Sequence, residues 1–208
     1  MSAFITFEGI EGSGKSTHAR LLVEHLRSLG WDPLATREPG GTPLGEPIRR
    51  LLLDVASAPI APVAELLLYC ADRAQHVAHV IAPALMAGRP VVCDRFSDST
   101  IAYQGHGRGL DLALVQTIER HARGDLTPVL TFVFDCPASE GLARVRRRSA
   151  ATDRMEGAPL AFHERVRQGF LALAAANPER YCILDSTATV DETQQWVRTK
   201  TLERLGTR

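Results

Sequence analysis

The sequence predicts an α/β fold of the P-loop NTPase type, with three layers and a five-stranded, mainly parallel sheet between helices. Short apolar runs alternate with amphipathic segments of helix length, an order typical of strands joined by helical crossovers. The first apolar run also leads into a complete phosphate-binding motif. With 208 residues, 45% of them apolar, the chain can bury one sizeable core, so we expect a single domain over 1–208.

The predicted elements follow in order along the chain. Strands are predicted at Phe4–Phe7, Pro33–Thr36, Pro90–Cys93, Val129–Phe134 and Tyr181–Leu184. Helices are predicted at Lys15–Leu29, Val63–Ala87, Asp111–Arg123, Ser139–Arg148, Leu160–Ala176 and Val190–Leu205. Pro83 is expected to kink or shorten the second of these, because proline lacks a backbone donor. The Gly- and Pro-rich loops around Arg37–Gly45 and Gly105–Gly109 follow strands, where open α/β sheets bind ligands.

The charge balance argues against a nucleic-acid or membrane partner. Lys and Arg together number 24, as do Asp and Glu, so no net basic charge is available for a duplex or an anionic lipid surface. No apolar stretch approaches the roughly 18 residues of a membrane span. The N-terminus lacks the basic start of a signal peptide, and the four cysteines form no C-x-x-C pair. We therefore expect a soluble, cytoplasmic protein with reduced thiols.

The most informative motif is GIEGSGKS at 9–16, hereafter the P-loop, which lies between a predicted strand and a predicted helix. Glycines let successive backbone N–H groups converge on phosphate oxygens, and the helix N-terminus adds its positive dipole end. Lys15 is expected to reach the β- and γ-phosphates of ATP, and the Ser16 hydroxyl to bind Mg²⁺. The expected ATP-binding residues here are Gly9, Ile10, Glu11, Gly12, Ser13, Gly14, Lys15, Ser16 and Thr17.

A P-loop indicates a bound nucleoside triphosphate but does not give the class of protein. GTPases need a base-binding N-K-x-D and usually a D-x-x-G, and neither motif is present. A nucleotide-dependent switch or interaction module is still an alternative to an enzyme at this point. A kinase acting on dUMP, CMP or a deoxynucleoside is another.

Asp94 and Arg95 follow the third predicted strand, where a carboxylate can approach a metal ion and a guanidinium can bind phosphate. Taken alone, the pair is more readily a salt bridge at a strand end. The surrounding segment, VVCDRFSDSTIAYQG at 91–105, closely resembles the thymidylate kinase signature, with its apolar residues, Asp-Arg, serine and Ala-Tyr. The resemblance implies that Asp94 binds the metal beside Ser16 and that Arg95 binds the acceptor phosphate.

Two further segments are similar to bacterial thymidylate kinases. TREPGGT at 36–42 resembles the loop whose arginine holds the acceptor phosphate, which implies this role for Arg37. LLLYCADR at 66–73 resembles the helix whose aromatic residue stacks on thymine and whose arginine donates to the base O4. Tyr69 and Arg73 take these places, and their spacing of four puts both on one helix face. Without the resemblance, Tyr69 would be a core residue and Arg73 a solvated charge.

The same resemblance implies the remaining acceptor contacts. Ser99, Thr100 and Gln104 are expected around the edge of the base. The Tyr103 ring is expected beneath C2′, where it would disfavour a ribose. Glu11 is implied to bind the deoxyribose 3′-OH; because a carboxylate among phosphates is electrostatically unfavourable, a solvent-facing Glu11 is the alternative.

A basic run at the end of the fourth predicted helix resembles the lid of these kinases. It contains Arg144, Arg146, Arg147 and Arg148 and is followed by DRME at 153–156. Thymidylate kinases supply a catalytic arginine from the P-loop or from the lid, and the P-loop here has none. The resemblance therefore implies a lid at about 144–157, with Arg154 or one of Arg146–Arg148 as the catalytic cation and Arg144 as a platform for adenine. The alternative is a solvated helix face.

The resemblance covers about residues 4–185 and implies transfer of the γ-phosphoryl group of Mg-ATP to dTMP. Its implied catalytic set is Lys15, Arg95, Arg154 and Glu11, and it also implies a homodimer. His76 and His79 are one helical turn apart, but no third metal ligand is visible in the sequence, so both histidines are expected to be structural.

Overall fold

The computed structural model describes residues 3–56, 59–148 and 153–206. Its centre is a five-stranded sheet in the order β2-β3-β1-β4-β5, in which every neighbouring pair is parallel. The predicted fold class is confirmed. The chain ends of the expected domain and lid residues 149–152 lie outside the described residues. The strands are β1 (Phe4–Gly9), β2 (Leu34–Arg37), β3 (Val91–Asp94), β4 (Leu130–Asp135) and β5 (Tyr181–Asp185).

The helices of the described residues cover both faces of this sheet. They are α1 (Lys15–Ser28), α2 (Gly45–Leu53), α3 (Pro62–His76), α4 (Ala82–Met86), α5 (Ser97–Thr100), α6 (Leu112–Arg123), α7 (Ala138–Arg148), α8 (Leu160–Ala176) and α9 (Val190–Leu205). Five of the six predicted helices have nearly these bounds. Local signals explain the ends: Gly30, at a φ of 82°, follows α1, and Thr189 forms a capping box with Glu192 at the start of α9.

The sixth predicted helix is found as α3 and α4 joined by a π-helical segment at Val77–Ile81. Pro83 is the second residue after this segment. Because proline has no backbone N–H and its ring crowds the preceding turn, a wider turn at this point accommodates it without ending the helix. The helix continues past Pro83 to Met86, so Pro83 does not shorten it appreciably, and a kink there stays a prediction.

Two helical segments were not predicted. α2 has only nine residues, of which Gly45 and Leu52 are buried. α5 continues as a second π-helical segment at Ile101–Gly107. The predicted loop at Gly105–Gly109 is therefore wrong at its start, because tertiary packing overrides the low helix propensity of two glycines.

Side chains of the central strands alternate between the two faces. On one face Ile5 and Phe7 pack with α1 and α9, and the rings of Phe7 and Phe134 stack with centroids 5.8 Å apart. On the other face Val133 packs with α8. This two-sided burial explains why β1, β3 and β4 appear as continuous apolar runs in the sequence.

The register of the strands brings their carboxyl ends to one edge of the sheet. Phe7 pairs with Asp94, and Arg37 pairs with Asp94 from the other side. The segments that follow β1, β2 and β3 therefore meet at this edge. All four cysteines are free, as expected. None of the helices among the described residues combines the length and apolar character needed to cross a membrane.

Candidate active site

A cavity of about 220 Å³ opens at the carboxyl ends of β1, β2 and β3. The P-loop, the segments after β2 and β3, α3, the segment after α5 and the lid all contribute to its wall. Most residues predicted for the ATP and acceptor sites line it: Glu11, Gly12, Lys15, Ser16, Arg37, Tyr69, Asp94, Arg95, Ser99, Thr100, Tyr103 and Gln104. We call Gly9–Ser16, Asp94 and Arg95 the phosphate end, and Tyr69, Thr100 and Gln104 the base end.

The P-loop turns tightly between β1 and α1. Gly12 has a φ of 73°, and a Cβ there would collide with the carbonyl oxygen of Gly141. Lys15 is only 8% exposed, and its Nζ donates to the carbonyl oxygen of Ile10 at 3.1 Å. Burial and the neighbouring Arg95 lower the pKa of Lys15 to about 8. The ammonium is therefore held beside the loop, in a place suited to phosphate.

The other predicted P-loop residues have supporting positions. Ile10 and Ser13 are buried, and Gly9 lies against the carbonyl of Phe134 at the end of β4. Gly14, at a φ of 94°, caps α1. Thr17 is exposed in the first turn of that helix. These residues would contribute backbone groups and geometry to ATP binding rather than charged side chains.

Ser16 and Asp94 meet because β1 and β3 are parallel neighbours. The Ser16 hydroxyl donates to Asp94 Oδ2, while Asp94 Oδ1 is buried without a hydrogen-bond partner. The Ser16 hydroxyl and the Asp94 carboxylate, with its unsatisfied oxygen, are hard oxygen ligands of the kind that Mg²⁺ prefers. Mg²⁺ takes few ligands from the protein and completes its coordination shell with water and phosphate oxygens. Within the described parts of the chain, no three His, Cys, Asp or Glu side chains gather into a metal site, so the nucleotide would have to supply further ligands.

Arg95 is held in an unusual backbone conformation. Its φ of 70° is the one positive value among the described non-glycine residues, and such a conformation costs about 1–2 kcal/mol. Its backbone N–H donates to Phe7 at 3.0 Å, and its guanidinium donates to the Gly9 carbonyl at 2.9 Å and to Ser99 at 3.1 Å. This backbone conformation directs the guanidinium back across the P-loop and into the cavity, and strained conformations of this kind are common at functional sites.

Glu11 lies in the wall of the cavity and not toward solvent. Its Oε1 accepts from Arg95 at 2.9 Å and from the Tyr103 hydroxyl at 2.5 Å. His163 Nδ1 is 3.1 Å from Oε2. Burial disfavours the charged carboxylate, but Arg95, His163 and Lys15 outweigh it and hold the pKa of Glu11 well below its usual range. Glu11, Arg95 and Tyr103 thus form one hydrogen-bonded network at the centre of the site, built around the Glu11–Arg95 ion pair.

The base end is built on two helical faces. Ser99, Thr100, Tyr103 and Gln104 lie at spacings of one, four and five, so the helix that begins as α5 presents all four to the cavity. The π-helical turn among them is a feature that often occurs at functional sites. Tyr69 of α3 lies on the opposite wall, and its pKa is raised by burial.

Arg73 lies behind the wall of the cavity. It is 1% exposed and donates to Glu38 at 2.9 Å, to Thr100 at 2.8 Å and to the Phe96 carbonyl at 3.0 Å. These contacts use three of its five N–H groups. A contact between Arg73 and a base O4 stays a prediction, and Thr100 is the group that connects Arg73 to the cavity.

Glu38 and His76 complete this buried cluster. His76 Nδ1 is 2.9 Å from Glu38 Oε1, and its other ring nitrogen is 2.6 Å from the Thr36 hydroxyl. Both nitrogens of the imidazole are therefore engaged by protein groups. For His76 the expected structural role is confirmed.

The lid arginines point in different directions. Arg148 lines the cavity and pairs with Glu156 at 2.7 Å. Arg154 does not line it: its Nη2 is 2.6 Å from Glu65, and its Nε donates to the Leu52 carbonyl at 2.8 Å. A catalytic role for Arg154 stays a prediction that requires it to leave these partners. Arg146 and Arg147 are exposed on α7.

Arg144 lies beside the P-loop, where an adenine platform is expected. Its Nη1 is 3.0 Å from the Ser186 carbonyl and 3.5 Å from the Gly12 carbonyl. Nη2 pairs with Glu140 at 2.5 Å. Arg144 thus joins the P-loop to the segment between β5 and α9.

Several residues of the site were not predicted. Arg49 of α2 lines the cavity and donates to the Pro39 carbonyl at 2.8 Å; a correctly predicted α2 would have identified it. Glu65 and His163 are fully buried yet touch predicted site residues. The sequence shows only that Glu65 and His163 are polar residues within apolar helix patterns. This observation does not tell which side chains they contact.

Comparison with known proteins decides the family. The model of the family "Thymidylate kinase" matches residues 7–197. The chain belongs to the thymidylate kinase family. A thymidylate kinase of Geobacter sp. strain M21 is 52% identical over 198 residues, 93% of this chain and 88% of the relative. One of Geobacter sulfurreducens is 47% identical, with 100% of both chains covered.

A solved structure agrees with this assignment. The crystal structure of thymidylate kinase from Ehrlichia chaffeensis superimposes with a TM-score of 0.75 and is 36% identical, covering 99% of each chain. Thymidylate kinases are ATP-dependent nucleoside monophosphate kinases, so membership disfavours the alternatives of a switch module and a deoxynucleoside kinase. ATP is accordingly the co-substrate.

Proposed function

We propose that this protein transfers the γ-phosphoryl group of ATP to dTMP, giving dTDP and ADP, as a step in dTTP biosynthesis. The observation that carries the proposal is one cavity lined at one end by Lys15 and Asp94 and at the other by Tyr69 and Gln104. A triphosphate on the P-loop and a pyrimidine nucleotide at the base end would place their phosphates between these groups.

In this arrangement an oxygen of the dTMP phosphate attacks the γ-phosphorus, and the bond from that phosphorus to the β-phosphate oxygen breaks as ADP leaves. Lys15 binds the triphosphate, and Arg95 binds the acceptor phosphate together with Arg37. Mg²⁺ held by Ser16 and Asp94 would neutralise charge on the phosphates. The protein needs no nucleophile of its own, because positioning and electrostatic stabilisation supply the catalysis.

Glu11 and Tyr103 are proposed to define the sugar site. Glu11 already accepts hydrogen bonds from Arg95 and Tyr103, so a 3′-OH can join an existing network. The Tyr103 ring is 5% exposed and packs edge-on against Phe170, with centroids 6.1 Å apart. A ring held this firmly cannot move to admit a 2′-hydroxyl.

Arg148 is the lid cation that the described conformation favours for catalysis, because it is the lid arginine that lines the cavity. Arg154 is the second candidate. Family membership also supports a cytoplasmic homodimer, and exposed apolar residues of α3, Val63 and Leu67, would suit a subunit interface. Sedimentation analysis of the purified protein tests this; a monomer at micromolar concentration would exclude it.

A coupled assay for ADP formation tests the reaction itself. With ATP and Mg²⁺ we expect turnover with dTMP, weaker turnover with dUMP, and none with CMP or thymidine. Phosphorylation of thymidine in preference to dTMP would overturn the proposal, because Arg37 and Arg95 would then have no acceptor phosphate. Turnover with ATP alone would identify an ATPase instead.

A further inference from the structure

Glu65 is a fully buried carboxylate directly behind the base end. It belongs to α3, four residues before Tyr69, and contacts two other segments, the helical turn after α5 and the lid. Its Oε1 accepts from Gln104 Nε2 at 2.8 Å and from Arg108 Nε at 3.1 Å. Its Oε2 lies 3.1 Å from Arg108 Nη2 and 2.6 Å from Arg154 Nη2. No role has so far been assigned to Glu65 or Arg108.

The two arginines keep this carboxylate ionised. Burial alone would favour the neutral acid, but the hydrogen bonds from Arg108 and Gln104, together with the charge of Arg108 and the contact from Arg154, hold the pKa of Glu65 below its usual range. An ionised carboxylate can only accept hydrogen bonds. The Gln104 atom that contacts it must therefore be the amide nitrogen.

This contact determines the orientation of the Gln104 amide. With Nε2 turned to Glu65, Oε1 lies on the opposite side of the amide. Among the residues that the structure describes, none donates a hydrogen bond to this oxygen, and Gln104 is part of the cavity wall. The amide is also immobile, since Gln104 is 1% exposed. The cavity thus presents a fixed acceptor at its base end.

We propose that Glu65 is a positioning residue for base selection, because it fixes the Gln104 amide with its oxygen toward the acceptor base. Thymine carries a ring N3–H that can donate to this oxygen, whereas N3 of cytosine is itself an acceptor. Two facing acceptors in a water-excluded site disfavour binding. The inference rests on the proposed function and explains how that site distinguishes dTMP from dCMP.

Glu65→Gln is the informative substitution. Oε2 contacts both arginines, so the carbonyl oxygen of the new amide is expected to stay there and its NH₂ group to replace Oε1. That NH₂ group faces Gln104. The Gln104 amide can then accept a hydrogen bond from it by turning its oxygen toward residue 65 and away from the cavity. We expect the ratio of kcat/KM for dTMP to that for dCMP to fall at least about tenfold, with KM for ATP little changed.

The same substitution in a Gln104→Met background separates positioning from general stability. If Glu65 acts through the Gln104 amide, Glu65→Gln should change the dTMP to dCMP ratio by less than about twofold in that background. A matched control is Glu119→Gln, which removes a 3% exposed carboxylate paired with Arg123 at 3.0 Å, away from the cavity. This control should leave the ratio at the wild-type value.

Two results would overturn the proposal: an unchanged ratio in folded Glu65→Gln, or an equal change with and without Gln104. If Glu65→Gln does not fold, Glu65→Gln with Arg108→Met removes one unpaired cation and serves for the same measurement. Failure of wild-type protein to phosphorylate dTMP would reject the proposed function instead, so the two failures are distinguishable.

Discussion

The phosphate end and the base end of the cavity are built in different ways. At the phosphate end, Lys15 and Ser16 are neighbours in sequence, and Asp94 is brought to them by regular strand pairing. At the base end, Tyr69 and Gln104 come from separate helices whose positions depend on the buried carboxylates Glu38 and Glu65. The first is a property of local backbone geometry, whereas the second is a property of packing.

The difference leads to different expectations for substitutions. Groups at the phosphate end contact atoms whose charge changes during transfer, so their removal should lower kcat. Groups at the base end bind dTMP equally before and during transfer, so their removal should mainly raise its KM. The five predictions below test this division, beginning with the largest effect.

Lys15→Ala should lower kcat by at least about 10³, because the β- and γ-phosphates lose their central cation. Lys200 is the only other lysine in the sequence and is paired with Glu203 on the surface, so Lys200→Ala is the matched control and should retain wild-type turnover. Steady-state rates with saturating ATP and dTMP measure both. Near-normal turnover of a folded Lys15→Ala protein would refute the P-loop assignment.

Arg148→Ala should lower kcat by about 10² with little change in either KM, since a lid cation acts mainly on the transition state. Arg147→Ala, at an exposed neighbour outside the cavity wall, should stay within about threefold of wild type. Arg154→Ala is measured beside them. A larger loss for Arg154 than for Arg148 would mean that Arg154 moves from Glu65 to the phosphates when the lid closes.

The pH profile should also reveal the phosphate end. Lys15 has a pKa of about 8, below that of a free lysine, so in the free protein its charge is lost as pH rises through 8. The kcat/KM for ATP should then fall about tenfold per pH unit above this value. In the enzyme–substrate complex the negative phosphates favour the charged ammonium and raise the pKa of Lys15. The decrease of kcat with pH should therefore begin at a higher pH than the decrease of kcat/KM. If kcat/KM for ATP and kcat fell over the same pH range, this assignment of the pKa to Lys15 would be contradicted.

Stability should change with pH in the opposite sense. Above pH 8 the native protein loses the Lys15 proton, while the unfolded chain keeps it to about 10.5. The unfolded state then binds more protons, so this group alone raises the free energy of unfolding across that interval. Denaturant titrations of wild type and Lys15→Met at pH 7 and pH 9.5 measure this contribution of Lys15 to the free energy of unfolding. We expect the wild-type value to rise relative to that of Lys15→Met between the two pH values.

Tyr69→Ala should raise the KM for dTMP about tenfold, which corresponds to the roughly 1–2 kcal/mol of a base–aromatic contact. Tyr69→Phe keeps the ring and should stay within about twofold of wild type. The KM for ATP should be unchanged in both. Equal effects on the two substrates would show that Tyr69 supports the core and not the base end.

The phosphate end of the cavity could be predicted from the sequence more fully than the base end. The P-loop was predictable because its function lies in eight consecutive residues whose backbone conformation glycine makes accessible. The position of the Asp94–Arg95 pair beside the P-loop was predictable because parallel strands bring their ends together, but its role at the metal and the acceptor phosphate required the resemblance to thymidylate kinases. Tyr69, Thr100 and Gln104 required the resemblance to thymidylate kinases, since helical spacing by itself favours a core role.

The sequence alone determined the alternation of strands and helices, the phosphate-binding loop and the family, because these depend on local periodicity and contiguous motifs. Only the tertiary structure decided which buried carboxylate holds which side chain. Glu65 binds Gln104 across 39 positions of sequence, and Glu11 meets His163 from α8. Such contacts depend on the packing of distant helices, for which a single sequence carries no pairwise signal. They also decide that Arg154, beside Glu65, lies away from the cavity while Arg148 faces it.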